Sequence, residues 1–327
     1  MSRQYSNNEE YKKLFNLINY YEICNRSEGK SPKTVSWYSS NLKRFYHYLE
    51  DKHLSDSIDQ IDIKVLREYV LYLLKTNKLN GQRCNSVKAE RLSPATVHGH
   101  VRTLRAFFSW LEREEFTEKN LATSLKPPRV PQRVVSPLSD EEIRAILETF
   151  NCKNACDARN QTIFMILLDT GVRIGELISL KLDDLHLKEG FFKVVGKGRK
   201  ERIVPIGNTA QRALQKYLYR YRPKPANAWT ENVFLSIHGD SSTENSMKLM
   251  FARLAQTSGV QRLHAHLCRH TFATRFLING GDIFTLQQIL GHSTLEMVRR
   301  YANLASSHTM IQHQRFSPLD RLNLRKA

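Results

Sequence analysis

Along the second half of the chain, six side chains of related chemistry follow one another. They are Arg173 in TGVRIGEL, Lys197 in GKGRKER, His266 and Arg269 in HLCRH, His292 in LGHS, and Tyr301 nine residues later. No carboxylate cluster suited to Mg²⁺ accompanies them, so the set fits metal-free phosphoryl transfer. Arginine forks match two phosphate oxygens and stay charged; Arg173 and Arg269 can clamp the charge that gathers on a pentacoordinate phosphate. A tyrosine, with an ordinary pKa of about 10, is a poor nucleophile until such cations favour its phenolate. A lysine can then protonate the leaving alkoxide.

Each of these residues also has a plainer reading. At helical spacing Tyr301 shares a face with Met297, Val298 and Leu304, as a half-buried core tyrosine would. Arg173 and Glu176 lie one turn apart, which equally describes a surface ion pair. Lys197 sits at a basic hairpin tip of the kind that merely holds DNA. His266 and His270 have the i, i+4 spacing of zinc hydrolases, but the intervening LCR lacks the glutamate base. Cys152 and Cys156 have no matching partner pair, and no metal site is expected.

The elements that must position these residues are legible from local signals. Gly171 stops a helix containing IFMILL, and a new helix follows at once with Ile174, Leu177 and Ile178 turned inward. GFFKVVGKGRKERIVPI gives two short strands around a tight turn that Gly196 and Gly198 allow. LHAHLCRHTFATRFLINGG is a helix ended by Gly280 and Gly281, with Cys268, Phe272 and Phe276 as its apolar stripe and His266, Arg269 and His270 on another side.

Upstream, KPPRVPQRVVSP (126–137) carries four prolines and should run extended as a linker. Ser139 and Glu142 then form a capping box that opens the second domain. The first domain reads as all helix and contains an internal echo, SPKTVSWYSSNLKRFYHYLE (31–50) and SPATVHGHVRTLRAFFSWLE (93–112). Val35, Leu42, Phe45 and Leu49 correspond to Val97, Leu104, Phe107 and Leu111, and each copy starts with a Ser cap and Pro. Lys33, Lys43, Arg44, His100, Arg102 and Arg105 would present paired basic surfaces to a phosphate backbone. The alternative is two amphipathic helices that resemble each other only in their caps. IDIKVLREYVLYLLK is a third helix, and 77–92 a basic, mobile loop.

Composition agrees with a polyanionic partner: 50 Lys+Arg against 32 Asp+Glu give a net charge of +18 over 327 residues. The longest apolar stretch near a span, IFMILL, falls far short of the ~20 residues a membrane helix needs, so nucleic acid leads over membrane. MSRQYSNNEE has no signal-peptide core, and five scattered cysteines suit reduced thiols in a cytoplasmic setting.

The ordered motifs TGVRIGEL, GKGRKER, HLCRH, LGHS and Tyr301 resemble the tyrosine recombinases, or phage-integrase family, in particular its compact bacterial Xer-like members. The resemblance covers most of 138–305 and more loosely the first domain. It implies a mainly α fold with a small β-sheet or hairpin: a helical core-binding domain (1–125), the linker (126–137), a mixed α+β catalytic domain (138–305) and a tail (306–327). The two domains would close on double-stranded DNA as a clamp.

The resemblance also implies a site-specific recombinase in which Tyr301 attacks a scissile phosphate, giving a 3′-phosphotyrosyl link. Arg173, Arg269 and His292 would hold the phosphate oxygens, Lys197 would act as general acid, His266 would assist proton transfer, and Glu176 would orient Arg173. Bond energy stays in the protein link, so no cofactor is required. Four protomers would exchange strands through a Holliday junction on nucleoid DNA, the tail either folding back or passing to a neighbour. The first 30 residues are too short for an extra arm-binding domain, and 77–92 is longer than in the compact members. A type IB topoisomerase and a non-catalytic DNA-binding repressor are the alternatives.

Overall fold

Ser31 and Ser93 begin the two echoing segments as helix caps. Their side chains accept from the Thr34 and Thr96 amides, and Pro32 and Pro94 fill the first helical turn. A computed structural model describes residues 10–76, 91–130, 135–151, 153–196, 200–292, 294–302, 313 and 316–319. The chain divides into two compact units, Met1–Arg133 and Val134–Ala327, each with its own core.

In the first unit α1 (Leu14–Ser27), α2 (Pro32–Asp51), α3 (Ile63–Lys75) and α4 (Pro94–Arg113) bury one apolar face each. All eight apolar positions of the echo are buried. Asn41 and Thr103, 62 residues apart like the other echoed pairs, bond to each other at 2.9 Å, so α2 and α4 meet at an equivalent register. Of the stretch 77–92 only Arg91 and Leu92 are described, and the Leu92 amide donates to Thr76 O at 3.0 Å.

Lys33, Lys43, Arg102 and Arg105 are exposed and Arg44 half-buried. Lys43 and Arg44 line a groove of about 610 Å³ together with Arg26, His47 and three serines. His100 does not belong with them. It is 5% exposed, its ring edge-on to Tyr69 with Nδ1 3.4 Å from the hydroxyl. Burial, and then the charge of Arg44, push its pKa down to about 4. Position 100 lies on the inward face with Val97, Val101 and Leu104, so it offers no charge to a phosphate.

In the second unit α5 (Asp140–Glu148) opens with the expected box, Ser139 taking the Glu142 amide and the Glu142 carboxylate taking the Ser139 amide. Residues 126–130 and 135–137 before it form neither helix nor strand. The helix α6 (Ala155–Thr170) ends on Gly171 at φ +63°, where a Cβ would stand 2.4 Å from the Phe272 ring. Only glycine fits that turn, and α7 (Ile174–Ile178) starts three residues later.

Strands β2 (Phe191–Val195) and β3 (Glu201–Pro205) form the expected antiparallel hairpin, with Phe192 opposite Val204. A two-residue strand β1 (Leu185–His186) adds to the β2 edge; so short a segment carries no readable alternation. Then come α8 (Asn208–Lys216), α9 (Glu244–Thr257), α10 (Ala265–Ile278), α11 (Ile283–Leu290) and α12 (Leu295–Ala302). α6 packs against α8 and α10 in the main core. A smaller cluster of Ala273, Leu277, Leu286, Leu290, Val298 and Tyr301 joins α10, α11 and α12. Among the described residues no helix is long and apolar enough to cross a membrane. The tail from 306 is described only at 313 and 316–319.

Candidate active site

The start of α7 holds the first arginine. Arg173 is the residue before the helix, and Glu176, in its first turn, accepts from the Arg173 backbone amide at 2.9 Å and from Nη1 at 2.8 Å. The arginine side chain is 41% exposed while its carboxylate partner is 6% exposed. Burial raises the Glu176 pKa, but hydrogen bonds from Arg202 and Arg173 outweigh it and bring the value down to about 2. Glu176 is therefore a fixed anion at any working pH.

The helix α10 supplies the second arginine and a histidine. Arg269 is 1% exposed, and its donors are largely committed: Nη1 to Gly171 O (2.6 Å), Nη2 to Leu290 O (2.8 Å) and to His292 Nε2 (2.7 Å). Burial, then the charge of Arg173, lower its pKa to about 10, which still leaves it cationic at neutral pH. A buried guanidinium demands such partners, and backbone carbonyls at two helix ends provide them. His266, one turn earlier, is exposed in the cleft; burial of part of its ring and the nearby Arg269 lower its pKa, so it is neutral at pH 7.

His292 follows the left-handed Gly291 that ends α11. Arginine can only donate, so His292 Nε2 must accept from Arg269 and the ring proton lies on Nδ1. That Nδ1 is buried with no partner among the described residues. Burial, then Arg269 and Arg173, push the His292 pKa down to about 4. The Tyr301 ring, 8% exposed, stacks near-parallel on His292 with centroids 6.3 Å apart and leans on His270 at 5.3 Å. Tyr301 thus has the buried packing of a core tyrosine and, with Val298, an apolar seat beside the histidine.

Val172, Arg173, Glu176, Gly196, His266 and Arg269 line one open cleft of about 500 Å³. The structure accordingly brings Arg173, His266 and Arg269 to one cavity, with His292 and Tyr301 wired or stacked behind Arg269. Lys197 lies outside the described residues; the hairpin that carries it closes with Gly196 N donating to Lys200 O at 2.8 Å. His270, on the same helix, does not line that cleft; its ring lies against Tyr301 and its Nε2 bonds to Val135 O.

One functional side chain escaped the sequence reading. Arg202 grips Glu176 with both Nη atoms, at 3.0 and 2.7 Å, and donates Nε to Ile289 O at 2.8 Å. A signal was present: Arg202 alternates with Val204 and Ile206 in the inward register of β3, and a charge on an inward register needs a partner.

Residues 137–308 match the phage integrase family, and residues 13–125 match the phage integrase SAM-like domain. The tyrosine recombinase XerD of Staphylococcus epidermidis is 30% identical over 92% of this chain and 97% of its own length. XerD of Listeria monocytogenes is 30% identical over 89% of this chain and 94% of its own length. The Tn1549 transposon integrase, solved in complex with transposon right end DNA, superposes with a TM-score of 0.69 at 21% identity, covering 92% of this chain and 99% of that one. At that identity the superposition speaks for the fold. The chain belongs to the phage integrase family, as a tyrosine-type site-specific recombinase. These matches do not favour a relaxing topoisomerase or a non-catalytic repressor.

Proposed function

We propose that Tyr301 is the nucleophile that cuts double-stranded DNA at specific recombination sites. Its oxygen bonds to the scissile phosphorus as the bond from phosphorus to the 5′ oxygen breaks, leaving a 3′-phosphotyrosyl link and a 5′-hydroxyl. Arg173 and Arg269 neutralise the charge on the non-bridging oxygens, and His292 helps to hold them. His266, neutral at pH 7, is able to take the phenolic proton, and Lys197 protonates the departing 5′ oxygen. The 5′-hydroxyl of a partner strand then reverses the step. The observation that carries this reading is the convergence of Arg173, His266 and Arg269 on one cleft, with Arg269 bonded to the histidine that stacks on Tyr301.

Around this chemistry, residues 1–125 act as a core-binding domain, 126–137 as linker, 138–305 as catalytic domain and 306–327 as a tail exchanged between protomers. Lys33, Lys43, Arg44, Arg102 and Arg105 contact the phosphate backbone, and four protomers assemble on paired sites. The protein works without a cofactor, in the cytoplasm on the nucleoid.

The test is covalent capture. Incubated with a randomised duplex pool and then denatured, the protein should retain DNA, and Tyr301→Phe should bind the same duplexes yet retain none after denaturation. A phenylalanine variant that still forms the adduct removes Tyr301 from the role.

A further inference from the structure

β3 alternates, with Glu201, Ile203 and Pro205 outward and Arg202, Val204 and Ile206 turned in. Arg202 therefore places a guanidinium, its side chain 12% exposed, where its neighbours place aliphatic groups. Its charge is matched on one side by the bidentate Glu176 carboxylate and its Nε is satisfied on the other by Ile289 O. Glu176 in turn holds Arg173 through both its backbone amide and its guanidinium. Ile289 lies in the last turn of α11, three residues before His292.

The glycines flanking this side chain point to the same junction. At Gly291, φ +61°, a Cβ would stand 3.0 Å from Arg202 Cδ and 3.1 Å from Nε; at Gly196 it would stand 3.3 Å from Nη1. The backbone before the Lys197 turn and the backbone before His292 have both closed onto one guanidinium. Arg202 thus touches three of the motifs that the phosphate site is built from.

We propose that Arg202 is a positioning residue for the phosphate site, setting Arg173 through Glu176 and the His292 turn through Ile289 O. Arg173 is substantially exposed and would sample several rotamers against a loose carboxylate. Fixing that carboxylate from behind narrows the choice before substrate arrives, which is how a supporting side chain raises a rate without touching the reacting atoms. The strand also links the parts: the residue that sets both oxygen-binding groups lies five positions after Lys197, so hairpin register and phosphate clamp are established together.

The inference rests on the proposed function, and its test separates the two. The substrate is a duplex recovered from the randomised pool by covalent capture on the unaltered protein, with single-turnover cleavage rates normalised to folded protein. Arg202→Ala should slow cleavage at saturating DNA by roughly tenfold or more while leaving DNA affinity nearly unchanged. Arg202→Lys, which keeps a cation for Glu176 and guards against a misfolded alanine variant, should recover part of the rate. Combined with Arg173→Ala, the Arg202→Ala change should add clearly less than it costs alone, because only the route through Ile289 O and the His292 turn is left to lose. Additive losses, or a lowered unfolding temperature with an unchanged rate, overturn the proposal. If no duplex is captured by the unaltered protein, the recombinase chemistry fails instead. The positioning role is then decided by inorganic sulfate binding in calorimetry, which Arg202→Ala should weaken more when Arg173 is present than when Arg173 is replaced by alanine.

Discussion

Arg269 shows what a buried charge costs and supplies. At 1% exposure it survives as a cation because two helix-end carbonyls and His292 accept its hydrogen bonds. In return it fixes the tautomer of His292, leaving the ring proton on a buried Nδ1 that has no partner among the described residues. The general-acid role proposed for Lys197 is different chemistry, and its variant should behave differently. Lys197→Ala is expected to cleave ordinary DNA very slowly but to recover on a duplex with sulfur at the bridging 5′ position, since a thiolate leaves without an acid. Arg269→Ala should gain nothing from the sulfur. Equal impairment of Lys197→Ala on both substrates would make the lysine a binding residue only.

At the level of elements, α10 carries His266 and Arg269 and, together with Arg262 just before it, fastens residues 135–138. Arg262 donates to Ser136 O (2.5 Å) and Pro137 O (3.0 Å), Arg275 to Leu138 O (2.7 Å), and His270 bonds to Val135 O. The buried member of this set is Thr271, whose hydroxyl accepts from the Leu138 amide at 2.9 Å and donates to Leu267 O at 2.8 Å. Thr271→Val keeps the shape and orphans that amide, so it should destabilise the protein by about 1–3 kcal/mol in urea unfolding. A midpoint that does not move would show that water reaches the Leu138 amide. The caps at Ser31, Ser93 and Ser139 and the stop at Gly171 were all legible in sequence, since each depends on residues within one turn. Nothing local announced that residues 135–138 would be held by a segment more than a hundred residues away.

Across the whole molecule, histidines in both units titrate below their ordinary range. Burial is the first cause in each case: His100 and His292 fall to about 4, and His264, His266 and His270 are lowered. The folded chain then binds fewer protons than the unfolded one between the unfolded value of about 6.5 and the folded values near 4. Stability is complete above that window and is lost as pH falls through it. Scanning calorimetry should show the unfolding temperature declining from pH 6.5 toward 4.5, before most carboxylates protonate. His100→Gln should flatten that decline for the first unit, whatever it does to the absolute temperature. An unfolding temperature independent of pH across this range would mean that these rings are solvated.

The order and spacing of Arg173, Lys197, His266, Arg269, His292 and Tyr301 were enough, by themselves, to identify the family. Residue type limits what a side chain can do, and the motifs carry their own turns and caps. Local signals likewise established the helices of the echo and the β2–β3 hairpin, because capping, glycine turns and apolar period act over a few residues. Only the tertiary structure decided which side of a helix a histidine faces: His100 reads as basic in the string and is sealed against Tyr69 in the core. It alone decided that Arg269 is buried and that Arg202 joins Glu176 to Ile289 O. Those facts depend on contacts between segments 21 to 98 residues apart, whose partners are chosen by packing and by the need to neutralise buried charge.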